Sequence, residues 1–302
     1  MNEINRPSVP PGIVASLSGD AEVTIARMAE EPIMVSSGAA TGGVVRCVGE
    51  LRYRSGRMEN FSLIRKTLRP LTSGRHAAFA NDPDHWAYWR RELLAYDSDI
   101  LPPGPGLVAP RCFGTDGDNI YLEDVSGSRQ RVDLAAKHLA TWQSTTSITD
   151  LPWLTRDQLG QRVSVTSLDW RQMDVNRRVV DLWRRRDELL NRLADLPCVI
   201  SHGDYDLDNM IARGDETVAL DWGTLGIAPV GSDLAYLALS ALADPTPYFL
   251  DVAGGHWSTQ DVMTGFQATL ALVGSSRVHW MLSGGRPLPA GYTEFVLNNE
   301  PE

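Results

Sequence analysis

The residues with the clearest capacity for chemistry lie between positions 198 and 233. An apolar run, Val199-Ile200, leads into His202-Gly203-Asp204, and Asn209 follows five positions later. A second apolar run, Val218-Ala219-Leu220, delivers Asp221, and Asp233 follows within G-S-D-L-A. A buried strand that ends on a carboxylate loses stability unless that carboxylate has a partner or a task. Here two such strands come close together in the sequence, which suggests two oxygen ligands or one base aimed into a common cleft.

Three chemistries fit such a set. Asp204, Asp206 and Asp208 have the one-three-five spacing of a calcium loop, but the sixth position is Asn209 rather than Gly and the twelfth is Asp215 rather than Glu. Two-metal hydrolysis would draw on several histidines, and His85, His138, His256 and His279 have no ligand-like spacing. Phosphoryl transfer needs a carboxylate to take the proton of an attacking hydroxyl and hard oxygens for magnesium. It also needs a lysine on the phosphates and an acid to position that lysine. The chain offers these in order as Lys66, Glu92, Asp204, Asn209 and Asp221.

The positioning elements follow from pattern. Residues 1–20 read as an irregular Pro/Gly/Ser arm, and residues 20–30 as a short helix begun by Asp20. A strand, a small-residue turn with Ser37, Gly38, Thr41 and Gly42, and a second strand come next. In that turn backbone N–H groups can approach a phosphate. In F-S-L-I-R-K-T-L, alternation puts Phe61, Leu63 and Arg65 on one face and Ser62, Ile64 and Lys66 on the other. Residues 83–97 read as a helix with a core stripe of Trp86, Trp89, Leu93 and Tyr96, beside which Glu92 can turn inward. Two strands joined by D-G-D close this part at Glu123–Val125. Helices are expected at 131–143, 174–195, 233–245 and 259–273, with a last helix or arm near the end. Residues 144–173 give no clear pattern. The Arg-rich face of 174–195 reads as solvated.

H-G-D-x-x-x-x-N from His202 to Asn209, strand-Asp-Trp at Asp221-Trp222 and G-S-D-L-A at Asp233 together resemble the aminoglycoside phosphotransferase and choline kinase family of small-molecule kinases. The resemblance implies an α+β, protein-kinase-like two-lobed fold. Residues 1–127 would form an antiparallel nucleotide-binding lobe with one main helix, and 128–302 a mostly helical catalytic lobe. It implies ATP (or GTP) and Mg2+ as cofactors. Asp204 would be the catalytic base, and Asn209 and Asp221 the metal ligands. Lys66 would bind phosphate with Glu92 as its partner, and Ser37, Gly38, Thr41 and Gly42 would cover the phosphates. Glu123 and Val125 would form the adenine hinge, and Asp233 would support the loop. With every position filled, a working enzyme is favoured over a silent nucleotide-binding regulator. His202, Asp206 and Asp208 would support the loop or meet the substrate. The two added acids, Asp206 and Asp208, are where the motif departs from the family.

Bulk properties narrow the rest. The 302 residues are 43% hydrophobic and 22% charged, as in a globular protein. Three scattered cysteines argue against a disulfide framework or structural zinc. No apolar run of about 18 residues is present and the N-terminus is unlike a signal peptide, so a cytoplasmic protein off the membrane is expected. No basic patch interleaved with aromatics suggests nucleic acid. Of the net charge of −10, all falls in residues 201–302, which hold 13 acids and three arginines. That imbalance suggests a cationic hydroxyl acceptor such as an aminoglycoside-like or other basic antibiotic. The alternative is a metabolic kinase for choline, homoserine, a sugar or a nucleoside, monomeric or homodimeric.

Overall fold

The computed structural model describes residues 9–33 and 40–301. Strands β1 (Thr24–Ile33), β2 (Thr41–Arg52) and β3 (Met58–Leu68) form an antiparallel meander. Helix α1 (Pro11–Ser18) precedes them and α2 (Arg91–Tyr96) follows. After β4 (Leu107–Val108), β5 (Cys112–Asp116) and β6 (Asn119–Glu123) complete a five-stranded sheet in the order β1-β2-β3-β6-β5.

The second part of the chain is mostly helical. It begins with β7 (Ser128–Arg129), α3 (Val132–Thr145), α4 (Gln158–Ser164), α5 (Arg177–Arg184) and α6 (Arg186–Ala194). Short strands β8 (Cys198–Ser201), β9 (Met210–Arg213), β10 (Glu216–Ala219) and β11 (Gly226–Pro229) carry the motif region. Helices α7 (Ser232–Ala241), α8 (Thr246–Ala253), α9 (Thr259–Ser283) and α10 (Tyr292–Asn298) finish it. β4 crosses over to pair with β10, in a sheet ordered β4-β10-β9-β7, and β8 pairs with β11. This is the α+β arrangement of a sheet lobe and a helical lobe.

The alternation in β3 divides its side chains between two cores. Phe61 and Leu63 join Ile13, Val14 and Phe113 beneath α1. Ile64 and Leu68 face α2 with Leu93, Ile120 and Leu122. Lys66 is on this second face and is buried.

Four local expectations are corrected. The helix expected over 20–30 is replaced from Thr24 onward by β1: nine register pairs to β2 and an Arg27–Glu50 ion pair outweigh the helical leaning of Ala, Met and Glu. The arm contains a helix, with Pro11 at its first position and Gly19 (φ 72°) closing it, which is a favoured placement of both residues. The helix expected over 83–97 shrinks to Arg91–Tyr96, and 174–195 breaks at Arg185 into α5 and α6.

Arg91 explains the first shortening. Its side chain is fully buried and donates to four carbonyls: Nε to Trp153 O (2.8 Å), Nη1 to Trp86 O (2.7 Å), and Nη2 to Pro83 O (3.0 Å) and His85 O (2.9 Å). Carbonyls turned to a guanidinium cannot continue a helix. The same contacts bind α2 to the helical lobe at Trp153. Burial lowers the Arg91 pKa to about 10, so it stays charged at neutral pH. Arg91→Met leaves four buried acceptors unpaired and should cost about 3 kcal/mol or more. That corresponds to a melting point roughly 6–12 °C lower. A calorimetric loss under about 1 kcal/mol would contradict this role for Arg91.

Candidate active site

Lys66 stands in the middle of β3, paired with Val44 on one side and Ile120 on the other. Its ammonium lies 2.6 Å from Glu92 Oε2, in the first turn of α2, and 2.8 Å from Asp221 Oδ1, just beyond β10. Lys66 and Glu92 are nearly inaccessible, whereas 43% of the Asp221 side chain is exposed. Burial works against the lysine charge, but Glu92 and Asp221 more than offset it and hold its pKa above the ordinary value. Lys66 in turn holds Asp221 below the usual carboxylate range, while burial pushes Glu92 up. Asp221 has left-handed backbone geometry (φ 61°, ψ 68°), uncommon for a residue with a Cβ. That turn takes the chain sharply out of β10 and faces the carboxylate toward Lys66.

The loop after β8 holds Asp204. Asp233, in the first turn of α7, is buried and accepts four hydrogen bonds. Its Oδ1 takes Ser201 Oγ (2.8 Å) and Gly203 N (3.0 Å), and its Oδ2 takes His202 N (3.1 Å) and Gln143 Nε2 (3.0 Å). Gly203 has φ 77°, and a Cβ there would strike Gln158 Oε1 and Thr224 O, so only glycine fits this turn. His202 Nδ1 accepts from Asp204 N (3.3 Å), and the other ring nitrogen, Nε2, lies 2.9 Å from Leu220 O. One neutral tautomer, protonated at Nε2, satisfies both contacts. His202 thus ties the backbone of Asp204 to the strand end that presents Asp221. Tyr205, fully buried, anchors the loop to Ala135 O on α3 (3.0 Å).

Asn209 Nδ2 donates to Asp204 O (3.1 Å), leaving the amide oxygen as its free acceptor. Asn209, Asp221 and Lys66 line one end of a cavity of about 400 Å³. Its walls are Val44, Ile64 and Leu122 from the large sheet and Ile211 and Leu220 from the opposite side. Glu123 and Val125 lie along the same cavity, where Val125 N donates to Glu123 O (3.1 Å) and the Glu123 carboxylate is engaged by Arg213 (3.0 Å). Among the described residues, no three His, Cys, Asp or Glu side chains converge as a metal-binding group. Two hard oxygen donors, Asp221 and Asn209, nevertheless fit magnesium, which commonly binds one or two protein oxygens and fills its shell with phosphate and water.

The other suggested residues are placed as follows. Thr41 lines this cavity, and Gly42 approaches the Arg69 side chain so closely that a Cβ would meet it at 2.9 Å. Ser37 and Gly38 lie outside the described residues. Asp206 accepts from Asp208 N (3.0 Å) and lies 3.3 Å from Arg277, so it braces the loop. Asp208 is exposed and pairs with Arg129 (3.0 Å). Sequence reasoning missed Arg277, on α9, whose guanidinium is 3.8 Å from Asp204. The available signal was a single arginine in an otherwise apolar stretch of helix. It also missed Gln143 and Gln158, both buried, the latter donating to Gly203 O (2.9 Å).

Residues 92–265, more than half of the chain, match the model of the phosphotransferase enzyme family. The chain belongs to this family. It is therefore a phosphotransferase of the small-molecule kinase kind, and family membership implies nucleotide and divalent-metal use in general. The match includes Glu92, Asp204, Asn209, Asp221 and Asp233 and begins after Lys66. Among solved structures, the GDP complex of aminoglycoside 2'-phosphotransferase-IIIa superposes with a TM-score of 0.54 at 11% identity, covering 95% of each chain. Choline kinase LicA from Streptococcus pneumoniae gives 0.54 at 12%, covering 91% of this chain and 92% of that one. Macrolide 2'-phosphotransferase type I gives 0.51 at 15%, covering 96% of both. These likenesses show the shared fold. No curated protein matches the sequence. Among the described residues no helix is long and apolar enough to cross a membrane.

The coupled charges give this phosphotransferase a testable pH signature. In Lys66→Met, Glu92 keeps its burial and loses its cation, so its folded pKa rises further above the unfolded value. A carboxyl with a raised folded pKa stabilises below the unfolded pKa and loses that contribution as pH climbs through the folded pKa. The variant's melting point should therefore fall relative to wild type as pH rises above the ordinary carboxylate range. Adding Glu92→Gln should remove the slope. Parallel melting curves for wild type and Lys66→Met would show that the two groups are not coupled.

Proposed function

We propose that the chain transfers the γ-phosphoryl group of ATP (or GTP) to a hydroxyl of a small molecule, with magnesium, by direct in-line displacement. The observation that carries this reading is the joining of the Lys66–Glu92–Asp221 cluster to Asp204 through a single buried imidazole, His202. Residues 1–127 then act as the nucleotide-binding lobe and 128–302 as the catalytic and acceptor lobe.

In this reading the base enters the 400 Å³ cavity between the two apolar walls, with its edge on Glu123 C=O and Val125 N–H. These two groups now satisfy each other and would exchange that bond for two to the base. Lys66 takes the α/β-phosphate oxygens, held in place by Glu92, and Thr41 and Gly42 flank the phosphates. Asn209 and Asp221 would hold magnesium, which when bound neutralises charge on the phosphate oxygens. Asp204 accepts a hydrogen bond from the acceptor hydroxyl and orients its oxygen toward phosphorus. As the new O–P bond forms and the bond to the β-phosphate oxygen breaks, the hydroxyl proton passes to Asp204 and a nucleoside diphosphate leaves. Asp233 serves by fixing the loop that presents Asp204, and Asp206 by holding Arg277. A cytoplasmic location accords with the need for nucleotide.

The acceptor expected from charge alone was a polycation, as in antibiotic resistance. The acidic surplus of the final third is not gathered at the cleft: Glu216 pairs with Arg213, Asp251 with Lys137 and Glu300 with Arg178. Among the described residues, the acids of that third that line the cavity on the acceptor side are Asp204 and Asp221. The reading as a small-molecule kinase is unaffected, and the acceptor is better sought among uncharged or anionic hydroxyl compounds.

Asp204→Asn preserves shape and removes the proton acceptor. Turnover should fall about 10²–10⁴-fold, with nucleotide affinity little changed. Nucleotide consumption against a panel of hydroxyl compounds, with and without chelator, measures this. Full activity in Asp204→Asn would dismiss the base assignment, and magnesium-independent turnover would dismiss the metal ligands.

A further inference from the structure

A second cavity, of about 490 Å³, opens on the other side of Asp204 and Asp221. It is the space an acceptor must occupy, so the inference below rests on the reading of Asp204 as the site of transfer. Its charged lining is unlike a polycation site. Arg75, Arg162 and Arg277 face it together with His76, and among the described residues its carboxylates are Glu92, Asp204 and Asp221. Lys66 pairs with both Glu92 and Asp221 and offsets one of their two charges, and Asp204 lies beside Arg277.

Arg162 is the informative member. Among the described residues its guanidinium makes no ion pair and no hydrogen bond, and its Nε is buried without a partner. It lies 4.1 Å from the ring centroid of Trp86, so the cation is held flat against an aromatic face. Trp86 is itself buried, and its indole N–H is also unpartnered. The Trp86 ring packs edge-on against His76 at 4.6 Å. His76 Nε2 accepts from Arg75 Nε (3.2 Å), which leaves the proton on Nδ1, again with no partner. Burial, helped by Arg75, lowers the His76 pKa to about 4, in keeping with a neutral ring that donates from Nδ1.

A guanidinium, an indole N–H and an imidazole N–H thus cluster on one wall with no acceptor among them. Buried donors in folded proteins are nearly always paired, because an unpaired one costs free energy. Three such groups in contact, with no acceptor among the described residues, form a wall suited to an acceptor carried by a ligand. The adjoining hollow continues the pattern. It meets this cavity at Thr166 and Trp183 and is lined by Arg171, Arg177, Arg184 and Arg186, of which Arg171, Arg184 and Arg186 pair with Asp169, Asp181 and Asp187.

We propose that the hydroxyl acceptor carries an oxyanion, carboxylate or phosphate, that docks on Arg162, with its apolar body against Trp86, Trp183 and Trp280. Arginine suits this role because its planar fork matches either oxyanion and it cannot be neutralised. The triphosphate of the nucleotide is the other possible source of an oxyanion, and the test separates the two.

Binding to the full chain is measured by calorimetry with a non-hydrolysable nucleotide and magnesium present. The probes are matched sets: phenyllactate, its amide and the corresponding amino alcohol, and glycerol phosphate with glycerol. At least one anionic member should bind about tenfold or more tighter than its uncharged counterpart. Arg162→Gln should erase that preference without changing nucleotide affinity, and Arg162→Lys should restore part of it. The proposal is overturned if no anionic member is preferred, if the amino alcohol binds best, or if Arg162→Gln weakens nucleotide binding instead. Should Arg162→Gln fail to fold, the wild-type preference still decides. Anion preference without any turnover would count against Asp204 as the base and leave the oxyanion site standing.

Discussion

One ammonium group holds the cleft together. Lys66 Nζ sits between Glu92 and Asp221, and these three residues come from the large sheet, from α2 and from the turn after β10. Neither Lys66 nor Glu92 would be stable in its position alone. An unpaired buried charge costs several kcal/mol, and Glu92 and Lys66 are both almost fully enclosed. Pairing with the lysine lets two carboxylates reside at the junction of the lobes. It also fixes how far apart the sheet and the helical lobe can stand, because both carboxylates lie within 2.8 Å of the same nitrogen.

The loop with Asp204 is built by a different device, in which a buried acid substitutes for missing backbone partners. Strand β8 ends at Ser201, and the N–H groups of His202 and Gly203 have no strand to bond. Asp233 supplies both acceptors and uses its remaining capacity on Ser201 and Gln143. His202 then spans from this loop to Leu220 O. Two carboxylates from separate strands are registered by hydrogen bonds through backbone and imidazole, so neither needs direct contact with the other. In the proposed reading this leaves the Asp204 carboxylate for the acceptor side and Asp221 for the phosphate side.

Much of this was legible in the chain because it is short-range. The H-G-D-x-x-x-x-N spacing, the apolar runs ahead of Asp204 and Asp221 and the alternation around Lys66 all follow from local periodicity. Errors arose where distant partners override local preference. Residues 24–33 pair with β2 against their helical leaning. Residues 83–90 are kept from helix by Arg91, whose guanidinium collects their carbonyls. The Pro/Gly frame of α1 was present in the sequence and was masked by the polar composition around it.

The sequence by itself determined the family, the two-lobed fold and the set of residue types suited to phosphoryl transfer, because these rest on motifs whose members lie within about one strand and one turn of each other. Tertiary structure alone decided the electrostatics of the acceptor side. The final third of the chain is acidic in sum, yet Asp208, Glu216, Asp251 and Glu300 pair with basic residues away from the acceptor-side cavity. Meanwhile Arg75, Arg162 and Arg277 arrive from three separate segments to face Asp204. Net charge counts residues regardless of direction, and a ligand meets only those that the fold points inward.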